Sequence, residues 1–176
     1  MKRILTLGLA LLMLILAGCS TEVTEYRQQQ PALDIFHYFQ GRTEAWGMVQ
    51  DRSGKQIRRF HVEIAGDVIG DTLTLNEHFV YDDGEKQQRV WHIRRVGNDR
   101  YEGTAGDIDG VATGQAAGNA FNWHYNMNVK ANGSTWRLTF DDWMYLQDET
   151  HLFNKTEMKK FGVTVATVTL FFTRKR

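Results

Sequence analysis

Asn119 to Leu146 read NAFNWHYNMNVKANGSTWRLTFDDWMYL. Phe121, Trp123, Tyr125, Met127 and Val129 take the odd positions of the first half, and Asn122, His124, Asn126, Asn128 and Lys130 the even ones. Alternation with period two is the mark of a strand with one dry and one wet face. Asn132-Gly133 follows as a tight hairpin signal, because both residues tolerate the positive φ that a two-residue turn demands. The return half sets Trp136, Leu138, Phe140, Met144 and Leu146 on one face, and Asp142 falls among them.

Outward from this hairpin, turn signals recur about every twelve residues. They are Asp51-Arg52-Ser53-Gly54, Gly66-Asp67, Asp83-Gly84, Gly97-Asn98, Asp109-Gly110 and Gln147-Asp148. The intervening segments alternate or are rich in β-branched and aromatic residues, which predicts strands near 43–50, 56–65, 71–82, 87–96, 99–107, 111–117, 119–130, 134–147, 150–159 and 163–173. Successive hairpins make a meander, and a meander of this size closes to hide its edges. The expected architecture is all-β, an antiparallel up-and-down β-barrel of lipocalin-like form; a two-sheet sandwich fits the same spacing. Pro31 precedes Leu33, Phe36 and Phe39, a spacing that predicts a short N-terminal helix ended by Gly41, either a plug for one barrel mouth or an ordinary packed entry segment.

The chain's first residues give an address. Lys2 and Arg3 precede an apolar run from Ile4 to Leu16, and Leu16-Ala17-Gly18-Cys19 closes it. That layout is a secretory signal peptide over 1–18, too short for a spanning helix. Cys19 is the single cysteine and sits where a lipoprotein is cleaved and acylated. The expected organisation is therefore a signal peptide over 1–18, a lipidated polar tether over 19–30 and one barrel domain over 31–176. Ser20, in place of Asp, points to the periplasmic face of the outer membrane. A partner in the membrane follows from the acyl chains, since each buried methylene contributes about 0.8 kcal/mol. Without Lys2 and Arg3 the 21 basic residues become 19 against 21 acidic, and so near-neutral a field does not suggest a nucleic-acid partner.

Parity also assigns an inward face. It holds Leu73, Leu75, Glu77, Phe79 and Tyr81; Arg89, Trp91 and Ile93; and Phe60, Val62 and Ile64 with Arg58 at the mouth. Glu77, Arg89 and Asp142 are the unusual members, because a buried carboxylate has to be paired, protonated or wet. A three-residue loop at Asp83-Gly84 would set Glu77 opposite Arg89. Three readings follow: a register-fixing salt bridge, a polar anchor for a ligand headgroup, or a general acid–base pair of Glu77 and Asp142. As a ligand site, Trp91, Trp123 and Tyr125 form the wall and Arg89 the anchor. The glycines at 103, 106, 110, 114 and 118 read as curvature or as space left in the lumen. Trp143 and Tyr145 fall on the outward face, where they offer a partner surface. The histidines lack the spacing of a metal pair, Asp107-Ile108-Asp109-Gly110 is half of a calcium loop at most, and no cofactor fingerprint occurs.

Phe39 to Gly41, Ala45-Trp46-Gly47, Asp51-Arg52-Ser53-Gly54, Tyr101-Glu102-Gly103, Gly118-Asn119-Ala120 and above all Phe140-Asp141-Asp142-Trp143-Met144 resemble the bacterial lipoproteins grouped as domain of unknown function family 3833. The resemblance covers nearly the whole chain after Cys19 and implies a lipid-anchored envelope protein of Gram-negative bacteria. It implies no catalytic residues. The expected function is binding of a lipid or other apolar molecule in the barrel; the alternatives are an interaction protein with a filled barrel and a lipid-modifying enzyme.

Overall fold

The computed structural model describes residues 21–131 and 133–175. Cys19 and the signal segment lie outside the described residues, as does Asn132. Ten strands run β1 (Gly41–Asp51), β2 (Gln56–Ile69), β3 (Thr72–Tyr81), β4 (Lys86–Arg95), β5 (Arg100–Thr104), β6 (Ala112–Ala117), β7 (Ala120–Ala131), β8 (Ser134–Leu146), β9 (His151–Lys160) and β10 (Val163–Arg174). Each pairs antiparallel with its neighbour, and β1 pairs with β10, so the sheet is a closed barrel and not a sandwich. Closure satisfies the two strand edges that an open meander would leave for another chain.

Short hairpin loops hold the register. Tyr81 N–H donates to the Glu85 carbonyl and Gly84 N–H to the Tyr81 carbonyl, with Gly84 at φ +83°, which makes 82–84 a three-residue loop. Glu77 therefore pairs with Arg89 as expected. On the far side of the barrel Phe121 pairs with Met144, Trp123 with Asp142 and Tyr125 with Phe140. A slip of one residue would send all of these to the solvent face, so the buried pattern fixes the pairing.

The predicted helix is α1 (Ile35–Phe39), and Asp34 caps it by accepting from Phe36 N–H at 2.9 Å. It closes one end of the barrel. Phe39 packs edge-on against Phe172, Phe36 lies against Tyr101, and the Tyr38 hydroxyl donates to the Thr150 carbonyl at 2.9 Å. Gly66 is required beneath it, since a Cβ there would stand 1.8 Å from the Phe39 carbonyl oxygen.

The expected tether is corrected in part. Residues 23–26 form a 3-10 turn, with Val23 buried against Ala117 and Ala120. The Tyr26 ring lies 6.1 Å from Trp143 and 5.5 Å from Tyr145. Trp143 and Tyr145 are thus partly covered by the chain's own N-terminal segment. Four residues are too few for a periodic signal, and so polar a stretch reads as linker.

Strands β5 and β6 are shorter than predicted. They pair with β4 only over His92–Arg95 and with β7 only over Ala120–His124. Beyond that point no described strand lies between β4 and β7, and the loop from 105 to 111 fills the gap. Ile108 bridges to Met127, Asn128 N–H donates to the Asp107 carbonyl, and Asp109 N–H to the Asn126 carbonyl.

Candidate functional site

The barrel encloses a cavity of about 1090 Å³, closed below by Ile35 and Phe39 and opening between the hairpin tips, where Arg58, Lys130 and Lys160 line the rim. Ligand sites usually span roughly 300–1,000 Å³, so this one is large. Its wall is mostly aromatic and aliphatic. Trp91 lies edge-on to Trp123 at 5.8 Å and to Tyr125 at 5.5 Å, and Tyr125 stacks on Phe140 at 5.0 Å. The expectation that Trp91, Trp123 and Tyr125 form a wall describes this surface.

The glycines beside it have a reason that sequence reasoning missed. A Cβ on Gly114 would stand 2.1 Å from Cε3 of Trp123 and 2.6 Å from Cζ of Phe121; one on Gly103 would stand 2.8 Å from Cζ2 of Trp123. Small residues on β5 and β6 let these two rings lie flat across the strands. The space they free is filled with ring.

The three polar residues expected inside line the cavity, and Arg89 has a closer partner besides the expected Glu77. Arg89 is held by Asp107: Nε donates to both carboxylate oxygens at 3.0 Å and Nη2 to Oδ2 at 2.7 Å. Glu77, across the strand pair, comes only to 3.6 Å from Arg89 Nη1, and its Oε2 is buried without a hydrogen bond. Burial works against the Arg89 charge, but Glu77 and Asp107 more than offset it and hold the guanidinium above its ordinary range. Sequence reasoning set Asp107 aside as a turn residue. Nothing in its spacing marks it, because it acts after the chain has left the sheet.

Asp142 is buried, as parity predicts, and Asp141 points outward to Lys159 Nζ at 2.8 Å and Trp143 Nε1 at 3.0 Å. No bulge breaks the alternation there. Asp142 finds no cation. It accepts from the Tyr125 hydroxyl at 3.2 Å and from the Asn154 amide, and the Thr156 hydroxyl supports Asn154 from 3.2 Å. Asn154 and Thr156 were also missed. The signal was present, since Leu152, Asn154, Thr156 and Met158 alternate on one face of β9, opposite Asp142.

Desolvation lifts the Glu77 carboxyl to about 7, against a smaller pull from Arg89. It lifts Asp142 to about 6, although neighbouring donors led by Asn154 pull it back. Burial, and then the Asp142 charge, push the Tyr125 hydroxyl well above its ordinary range. The interior therefore carries three carboxyls to one guanidinium, and two of the carboxyls, Glu77 and Asp142, titrate near neutrality. Among the described residues no group of three or more His, Cys, Asp or Glu side chains is placed to hold a metal.

The fold has a solved counterpart. The S-type phycobiliprotein lyase CPES from Guillardia theta superposes with a TM-score of 0.60 over 89% of this chain and 99% of its own, at 8% identity. That likeness is one of fold. No curated protein sequence matches the chain. Residues 13–174 match the family described as protein of unknown function (DUF3833), and the chain belongs to that family.

Proposed function

We propose that this protein is a binding module that holds an apolar molecule in its barrel and is anchored by lipid on Cys19 to the periplasmic face of the outer membrane. The cavity carries the reading: an apolar wall, one open end and a few convergent polar groups are the make-up of a ligand site. A structural barrel would fill that volume, because native interiors pack closely. The packing of Tyr26 on Trp143 and Tyr145 also reduces the aromatic surface on which an interaction role would rest. The raised carboxyls of Glu77 and Asp142 would suit general acid–base chemistry. Neither has a hydrogen bond from a serine, cysteine or lysine among the described residues, so binding stands first.

The anchor rests on the lipobox-like Leu16–Cys19 sequence. Thr21 lines a groove on the outer wall beside Trp143, and two residues span only about 7 Å. Acyl chains on Cys19 would thus hold the β6–β8 wall close to the bilayer.

Native mass spectrometry of the full chain purified from its own membrane tests both halves. The expected spectrum shows a mass increase at the N-terminal peptide that Cys19→Ala abolishes, and a separable non-covalent adduct of apolar character. Absence of any adduct, together with no binding of an apolar fluorophore to the delipidated protein, would overturn the binding reading.

A further inference from the structure

The geometry points to a guest whose inserted end is a protonated amine, received by Glu77 with Asp142 beside it. This rests on the reading of the cavity as a binding site. Sequence parity offered Arg89 as an anchor for an anionic headgroup. The structure removes it from that role, because Asp107 takes the guanidinium through Nε and Nη2 together. A guest carboxylate would have to displace that bidentate partner or compete with Glu77 for Nη1, which already faces it at 3.6 Å.

What remains free in the lumen is acceptor. Glu77 Oε2 lies 3.6 Å from Arg89 Nη1 but receives no hydrogen bond from it or from any other described group, and the carboxyl lines the cavity. Its terminal torsion is broad and two-fold, so rotation can turn an oxygen to the lumen without leaving the rotamer. The charged and titratable groups that act on it come from every side: Arg89 on β4, Asp107 on the 105–111 loop and Asp142 on β8, with Tyr125 of β7 bonded to Asp142. Around Glu77 three carboxyls outweigh one guanidinium, so a cation that has passed the Arg58, Lys130 and Lys160 rim meets net attraction there and an anion net repulsion. A buried ammonium against a carboxylate is a charge-assisted bond, stronger than the same bond from a neutral hydroxyl. Glu77 enters binding as the carboxylate, and the raised position of its titration makes that pH-dependent.

Calorimetry of the full, delipidated chain with dodecylamine, dodecanol and dodecanoate, each below its micellar or solubility limit, separates the possibilities. At pH 8, above the value of about 7 for Glu77, the amine is expected to bind about tenfold tighter than the alcohol, and the acid weakest. At pH 5 the amine's advantage should shrink. Glu77→Gln should lower amine affinity about tenfold and leave dodecanol binding within about twofold, which also shows that the variant is folded. Dodecanoate or dodecanol binding as tightly as the amine, or amine binding indifferent to Glu77→Gln, would overturn the inference and leave the apolar binding site standing. Dodecanoate preferred to both others would place the head at the rim with Lys130 and Lys160, and would likewise overturn it. If none of the three binds, the binding reading itself fails and this inference with it.

Discussion

Replacing Glu77 by glutamine should stabilise the protein above neutral pH and do little below pH 5. The carboxyl titrates at 4.5 in an exposed chain and at about 7 in the barrel. Between these values the folded state holds more protons than the unfolded one, so stability falls as pH rises. The favourable contribution is full below 4.5 and is lost by about 7. The interval corresponds to about 3 kcal/mol of penalty on the ionised form. Arg89 has already reduced it, so losing that 3.6 Å pair is included in the sum. The substituted amide is neutral throughout and carries no such penalty. Asp142 titrates in the same direction, from 3.8 to about 6, and keeps its share in the variant. Asp142 therefore contributes alike to both proteins, and the difference between them from pH 4.5 to 7 follows Glu77. Urea unfolding of both proteins from pH 4 to 8 measures it, provided the slope on denaturant stays constant. The variant should gain about 2–3 kcal/mol on wild type at pH 8 and converge with it near pH 4.5. A variant less stable than wild type at pH 8, or a difference that does not change with pH, would refute the reasoning.

Gly114→Val should cost more than about 2 kcal/mol in urea unfolding, because the new side chain meets the Trp123 and Phe121 rings. Near-UV circular dichroism should show those rings displaced. Tyr125→Phe removes a donor from buried Asp142 and should destabilise by about 1–3 kcal/mol at pH 8, less at pH 4 where the acid is neutral. Trp143→Ala should free residues 23–26 from the wall; limited proteolysis would then cut within that segment while the barrel's exchange protection stays unchanged.

The barrel and its inward face were legible for one physical reason: strands with one dry face must alternate, and short hairpin loops carry that alternation from strand to strand. Glu77, Arg89, Trp91, Trp123, Tyr125 and Asp142 all line the lumen on that basis alone. What was not legible lies where the period stops. Asp107 acts from a loop, and the 3-10 turn at Val23–Tyr26 is shorter than any helical repeat. The role of Gly114 needs the position of a ring on the neighbouring strand, which pairing supplies and spacing does not. Closure of β1 on β10, by contrast, was expected from the size of the meander and is observed.

Glu77 and Arg89 face each other across one register pair, yet their removal should have opposite signs. Arg89 belongs to the wall. Its bond to Asp107 ties the 105–111 loop across the opening that the short β5 and β6 leave between β4 and β7. Arg89→Met leaves Asp107 and Glu77 without a cation, a loss of about 3–5 kcal/mol at pH 8 by the measure of broken buried pairs. Hydrogen exchange should then rise in the 105–111 loop and in the upper half of β7, where Ile108 meets Met127. Glu77 is the surplus charge, and its neutralisation relieves the same cluster. If the two variants destabilise equally, the pair is a simple salt bridge and Glu77 has no acceptor to spare. If they diverge in sign, the barrel keeps an acid that its own packing does not need, and the apolar cavity beside it is where a partner for that acid would enter.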